Sequence, residues 1–296
     1  MKCNNISEIF SNLNKPLLLD GAVGSLLQQL GYKSDKYLWT SYLNFKLPNK
    51  VKEIHQEYIQ SGADIITANT FRTNPVSLKK SNPEFSQEKA IEISLNIAKD
   101  ARQDHDILIA GSNPPAEDSY QLKRTLTEKD LKENHELHID LLYKYGADLI
   151  LNETQSHFDE IKIICQHCSK NNIPFIISIL VTEDLKILSG ENLNEVINFV
   201  EHYNPLLISL NCISPKVFRN FINSKIIINN WGFYLNCGSG DYNDSDITCG
   251  VSPKEYLEIV KSSLSLQFPK LIGACCGSTP AHIKILREYI DGKIST

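Results

Sequence analysis

Short runs of consecutive apolar residues recur along the chain. Between them lie longer stretches in which apolar residues return every three or four positions. The first pattern is expected of strands in a parallel sheet covered on both faces, the second of amphipathic helices. The runs are Leu17-Leu18-Leu19, Ile65-Ile66-Thr67-Ala68, Ile107-Leu108-Ile109-Ala110, Leu149-Ile150-Leu151, Phe175 to Leu180, Leu206 to Leu210 and Leu271-Ile272-Gly273. One further strand, seventh in order, falls at Ile226-Ile227-Ile228 or at Phe233-Tyr234-Leu235, and the later run is taken as the site-bearing one. Helical spacing with end signals fills the gaps. Pro48 opens a helix through Val51, Ile54, Tyr58 and Ile59 that stops at Gly62. Thr127 with Asp130 reads as a capping box, and Ser156, Ser214 and Thr279 stand where further helices begin.

Eight strands alternating with eight helices predict an α/β chain forming one (β/α)8 TIM barrel over residues 1–296. An open doubly wound sheet is the alternative. An internal echo favours the barrel. Gly62-Ala63-Asp64-Ile65-Ile66 leads to Asn69-Thr70, and Gly146-Ala147-Asp148-Leu149-Ile150 leads to Glu153-Thr154. The shared register places Asn69 and Glu153 at equivalent strand ends.

In a barrel the residues just past each strand share one rim, where catalytic groups collect. Here that rim would gather Asp20, Asn69, Ser112, Glu153, Cys212, Cys237, Cys275 and Cys276. The adjacent thiols Cys275-Cys276 suit a soft metal ion, and Cys212 supplies a third ligand. Three thiolates around Zn2+ leave one coordination position open, the catalytic arrangement. Their charge favours a soft anionic fourth ligand over an activated water. Asp20 and Glu153 would hold an ammonium group. The implied substrate is an amino thiol, and homocysteine fits.

Composition removes other classes. The chain is 42% hydrophobic and 22% charged with a net charge of -5, which gives no footprint for nucleic acid or an anionic membrane. No signal peptide or membrane-length apolar run is present, so a cytoplasmic location is expected. Eight cysteines in 296 residues do not make a disulfide scaffold. Cys3, Cys165, Cys168 and Cys249 read as small buried hydrophobes. Cys165 and Cys168 fall on the apolar face of one helix, which argues against a redox or zinc pair. Cys237 is left out of the metal set because a fourth thiolate would close the site. His135-Glu136-Leu137-His138 has its histidines three apart rather than four, and is expected on the solvated face of a covering helix. Asp241 to Asp246 is an acidic loop that lacks the calcium-loop glycine.

The segment Gly273-Ala274-Cys275-Cys276-Gly277-Ser278-Thr279-Pro280 closely resembles the zinc motif of the homocysteine S-methyltransferase family. Asn211-Cys212 with Pro215, Leu19-Asp20-Gly21-Ala22-Val23-Gly24, Thr67-Ala68-Asn69-Thr70-Phe71 and Glu153-Thr154 resemble its other motifs, in order, over nearly the whole chain. The resemblance implies methyl transfer from an onium donor to homocysteine, giving methionine. S-methylmethionine or S-adenosylmethionine is favoured as donor; a betaine-type donor, a selenocysteine acceptor or a non-enzymatic zinc-binding barrel are the alternatives. It carries Cys212, Cys275 and Cys276 over as zinc ligands and Asp20 and Glu153 as contacts to the amino group. Gly21 and Thr70 carry over as further pocket contacts. The partners are small molecules, for a monomer or small homo-oligomer. Two stretches depart from the family. Ser112-Asn113-Pro114-Pro115-Ala116-Glu117-Asp118-Ser119-Tyr120 replaces a Gly-Pro-Tyr-Gly-like loop, and Leu235 stands for a proline in Tyr234-Leu235-Asn236. Both fall on the expected donor side.

Overall fold

The computed structural model describes residues 6–239, 247–264 and 268–293. The acidic segment Asp241 to Asp246 and Cys3 lie outside the described residues. The barrel strands are β1 (Leu17–Leu18), β2 (Ile65–Ala68), β3 (Leu108–Asn113), β4 (Leu149–Gln155), β5 (Phe175–Ile179), β6 (Leu207–Asn211), β7 (Trp231–Leu235) and β8 (Leu271–Ala274). All neighbours pair in parallel, in the order β1-β8-β7-β6-β5-β4-β3-β2. A parallel bridge between Leu19 and Ile65 brings the two ends of the sheet together. There the Asp64 N–H donates to the Leu18 carbonyl at 2.7 Å and the Asp20 N–H to that of Ile65 at 2.9 Å. The chain is thus an α/β barrel rather than an open sheet. The seventh strand is the later of the two candidate runs, and Ile227, in the earlier run, is 73% exposed.

Period-two alternation sorts the strand residues into two cores. Leu17, Leu19, Ile65, Leu108, Ala110, Leu149 and Leu151 pack in one cluster inside the barrel, with Phe10 of the helix Ile6–Ser11. Leu18, Ile66, Ile109 and Ile150 belong to the larger cluster shared with the helices. Cys212, Tyr234 and Cys275 belong to the interior cluster. The sheet interior therefore passes directly into the functional end.

The repeated Gly-Ala-Asp segment has a mechanical role. Asp64 accepts the Leu18 N–H at 2.8 Å and an Arg287 N–H. Asp148 accepts the Ile109 N–H at 2.7 Å and Arg102 Nη1 at 3.0 Å. Each aspartate pins its strand to the preceding one and anchors a helix arginine. Helix starts follow the sequence signals at Thr127, where the capping box with Asp130 is formed, and at Ser214, whose hydroxyl accepts the Val217 N–H at 3.3 Å. Ser156 is different. The helix Phe158–Lys170 begins after His157, and the Ser156 hydroxyl donates instead to the Ser119 carbonyl at 2.9 Å. It ties down the loop after β3 rather than capping a helix. No helix among the described residues is long and apolar enough to cross a membrane.

Candidate active site

Five acidic or thiol side chains converge at the strand ends, each placed by a local device. Asp20 follows β1 and is held by Thr67 of β2, whose N–H and hydroxyl each donate to its carboxylate at 2.8 Å. Glu153 lies within β4 at a register shift between Asn152 and Gln155. Its neighbour Thr154 has φ of 58°, a left-handed conformation uncommon for a β-branched residue. The Asn211 side chain holds it there, accepting the Thr154 N–H and donating to its hydroxyl, both at 2.9 Å. The bulge re-aims the end of the strand, and Ser112 donates to the Glu153 carboxylate.

Cys212 comes directly after Asn211 and is itself left-handed, with φ of 53°. Asn211 and Cys212 thus form one device: the amide secures the β4 bulge and the next residue presents a thiol. Cys275 and Cys276 follow β8. Cys275 N–H donates to Leu235 of β7 at 2.8 Å, and the Cys276 carbonyl accepts the Cys237 N–H at 2.7 Å. Gly277 then turns away with φ of 80°, and an added Cβ would sit 2.5 Å from the backbone of Gly238. Only glycine fits that close approach.

The Cys212, Cys275 and Cys276 sulfurs all lie within 4.8 Å of one another, with Cys212 to Cys276 at 3.6 Å. Cys212 and Cys275 are buried and Cys276 is half-buried. Cys237, near in sequence, is fully buried and outside the group; its thiol points to the Leu235 carbonyl. Cys165 and Cys168 are fully buried in the core, as the helical spacing implies. Cys249 is exposed, contrary to expectation. It lies on a short ribbon, Gly238–Ser239 against Thr248–Cys249, that stands apart from the barrel sheet.

The electrostatics follow from crowding acids away from water. Burial raises the Glu153 carboxyl to about 7, with help from the charge of Cys212 and against the Ser112 hydrogen bond. Burial also drives Asp20 well above the usual carboxylate range, despite Thr67, and Glu153 adds to the rise. Hydrogen bonds from Cys275 and Cys276, and one from Tyr120, hold the Cys212 thiol well below its usual range. The other two thiols are raised correspondingly. No cationic side chain among the described residues pairs with Asp20 or Glu153. A rim of this kind is stabilised by added positive charge, and soft thiols with hard carboxylates suit two different cations.

The site opens into a cavity of about 780 Å3, large enough for two small substrates. Gly21 lines it with Asp20; Thr70 does not. Thr70 is fully buried, and its hydroxyl donates to the Ser112 carbonyl at 2.9 Å and accepts the Ser112 N–H at 3.0 Å. It clamps β2 to β3 behind the cavity. Residues beyond the expected set also line it, among them Trp39, Phe71, Arg72, Asp118 and Tyr120. Trp39 has φ of 46° and meets Phe71 edge to face at 6.0 Å. Gly24 makes room for it, since an added Cβ would fall 2.4 Å from the indole. The Tyr120 hydroxyl lies 3.3 Å from Cys212 Sγ. Its position after Pro114-Pro115 was visible in the sequence, but nothing local pointed to its partner.

That loop rests on a buried polar network. His135 and His138 are fully buried, not solvated as their helix position suggested. His135 Nδ1 accepts from Asn113 Nδ2 at 3.2 Å and its Nε2 reaches Glu160. His138 Nδ1 donates to Asn113 Oδ1 at 2.9 Å. Glu160 accepts the Ala116 N–H at 2.7 Å and pairs with Arg124, so the loop is bound at both ends. Burial alone would raise Glu160, but His135, Arg124 and Ala116 together lower it to about 2.

The profile of the family described as homocysteine S-methyltransferase matches residues 17–290. A protein of Arabidopsis thaliana named homocysteine S-methyltransferase 2 is 20% identical over 99% of this chain and 98% of its own. One of the same name from Zea mays is 23% identical over 93% and 90%. The crystal structure of the metallated homocysteine methyltransferase MmuM from Escherichia coli superposes with a TM-score of 0.80 at 21% identity, covering 96% of this chain and all of that one. At that identity the superposition shows the shared barrel, and the profile shows the kinship. The chain belongs to the homocysteine S-methyltransferase family and is a methyltransferase.

Proposed function

We propose that the whole barrel works as one homocysteine-binding unit that transfers a methyl group from a small onium donor to the homocysteine thiol, forming methionine. The observation that carries this reading is the convergence of three thiols within 4.8 Å on the rim that also bears Asp20 and Glu153. The donor set fits zinc. Three sulfurs and no histidine make a soft, anionic set that suits a thiophilic ion and leaves room for one more ligand. The metallated form in which MmuM was crystallised supports a metal here. Cys212, Cys275 and Cys276 would hold it, and when bound it supplies the Lewis acidity that keeps the substrate thiol deprotonated near neutral pH.

The remaining work belongs to the chain. Asp20 and Glu153 receive the homocysteine ammonium, whose charge relieves the burial that raises both carboxyls. Thr67 and Ser112 orient those carboxylates before substrate arrives. Trp39 and Phe71 offer aromatic faces to a methylated sulfonium or ammonium centre. The substrate sulfur forms a new S–C bond to the methyl as the donor's bond to that carbon breaks. The donor takes the electron pair and leaves neutral, so no general acid is needed. Rate enhancement then comes from generating the thiolate and aligning two substrates.

Methionine formation from homocysteine, run in parallel with S-methylmethionine, S-adenosylmethionine and betaine, tests the reading. One of the two sulfonium donors should lead. A preference for betaine would move the donor class, and no methionine from any of the three would overturn the proposal.

A further inference from the structure

The loop-built part of the cavity wall carries a cation that the proposed methyl transfer does not use. Arg72 follows β2 and is half-buried beside Phe71. Three contacts hold it. Its backbone N–H donates to Ser41 Oγ at 3.1 Å, Nη1 donates to the Glu117 carbonyl at 3.0 Å, and the guanidinium carbon lies 5.2 Å from the Phe71 ring centre. The Glu117 carboxylate is turned away, accepting the Thr125 N–H at 2.8 Å and its hydroxyl. No carboxylate among the described residues lies at ion-pair distance from Arg72, and Nε and Nη2 have no protein partner there. Burial lowers its pKa, while nearby Asp118 favours its charge.

A guanidinium drawn partly out of water and given one carbonyl is under-satisfied. Its planar fork matches a carboxylate with two parallel hydrogen bonds. The other cations of the wall are less suited. Lys36 and Lys80 are exposed, and the Lys36 ammonium rests over the Tyr37 ring at 5.1 Å. Asp118, exposed on the same wall and close enough to influence Arg72, adds a partner for an ammonium. Adjacent positive and negative groups complement the two ends of an α-amino acid.

We infer that Arg72 binds the α-carboxylate of an amino-acid ligand in this cavity, making it the residue that selects donors built on an amino acid. The inference rests on the proposed function for the existence of an onium donor. An α-carboxylate is also present on homocysteine, so the test separates the two sources.

Calorimetric binding to the full chain, without turnover, provides the readout. The probes are S-methylmethionine and its carboxamide, which keeps the sulfonium and ammonium, and homocysteine with its carboxamide. The wild-type protein should bind the acid form of S-methylmethionine about 10- to 100-fold more tightly than the amide. Arg72→Gln should bind both alike, at the amide's affinity, and Arg72→Lys should recover part of the difference. An unchanged thermal midpoint confirms that the variants fold. A preference lost for homocysteine instead would keep Arg72 as the carboxylate site and overturn its role in donor choice. Equal binding of acid and amide by the wild type, absence of binding by either pair, or a preference that survives Arg72→Gln would overturn the inference itself. Failure of methyl transfer from every donor would appear in the activity assay and leave the acid-to-amide ratio to decide this question separately.

Discussion

Two parts of one cavity wall are built by different means. Asp20, Glu153, Cys212, Cys275 and Cys276 sit at strand ends, and neighbouring strands hold them through Thr67, Asn211 and backbone hydrogen bonds. Trp39, Phe71, Arg72 and Tyr120 stand on loops, held by side-chain contacts that reach across the molecule, as Glu160 reaches Ala116 and Arg124. The first part inherits the rigidity of the sheet, so in the proposed function the acceptor site is tied to the fold. The second can change with a few loop residues, which under the same proposal would let the donor vary on one barrel.

The largest break in that comparison is at the thiols. Cys275→Ala should empty the metal site and bring methyl transfer to background; zinc content and turnover measured on the same preparation check it, and full zinc with normal turnover would refute it. Glu153→Gln comes next. It leaves a hydrogen bond but removes the charge, so the KM for homocysteine should rise about 10- to 100-fold while that for the donor stays near wild type. Gly24→Ala probes the loop part by displacing the Trp39 indole. It should raise the donor KM about 2- to 10-fold and leave the homocysteine KM unchanged, a split opposite to that of Glu153→Gln.

The smallest effect concerns pH and stability. Burial lowers His138 to about 3 and His55 to about 4, from an ordinary value of 6.5. The unfolded chain therefore takes up protons first as pH falls below 6.5, and stability declines towards pH 3. His138→Gln should flatten this slope by at most about one proton. Denaturant midpoints between pH 7 and 4 measure it, and an unchanged slope would count against a neutral His138.

The same division governs what the sequence disclosed. The strands, the Gly-Ala-Asp repeat and the thiols were legible because strand ends in a barrel meet at one rim, whatever their separation along the chain. That ground joined Cys212 to Cys275 but gathered Cys237 as well, and Cys237 was separated from them by the coordination number; in the folded chain its thiol turns to the Leu235 carbonyl. His135 and His138 were not legible: their helix positions look polar, and burial depends on Asn113 and Glu160, which meet them only in the folded chain. Thr70 matched a family motif, yet it serves the β2–β3 seam. Arg72 and Tyr120 gave no local signal, since their partners Glu117 and Cys212 lie far along the chain.

In the proposed function Cys275 and Cys276, joined by Cys212, form a zinc site that accepts the thiol of homocysteine. X-ray absorption at the zinc edge, recorded on the purified protein with and without homocysteine, counts the sulfur neighbours of the ion. One zinc per chain with three sulfur neighbours is expected, and a fourth sulfur when homocysteine is added. A sulfur count that does not change on adding homocysteine, under conditions where methionine is formed, would contradict it.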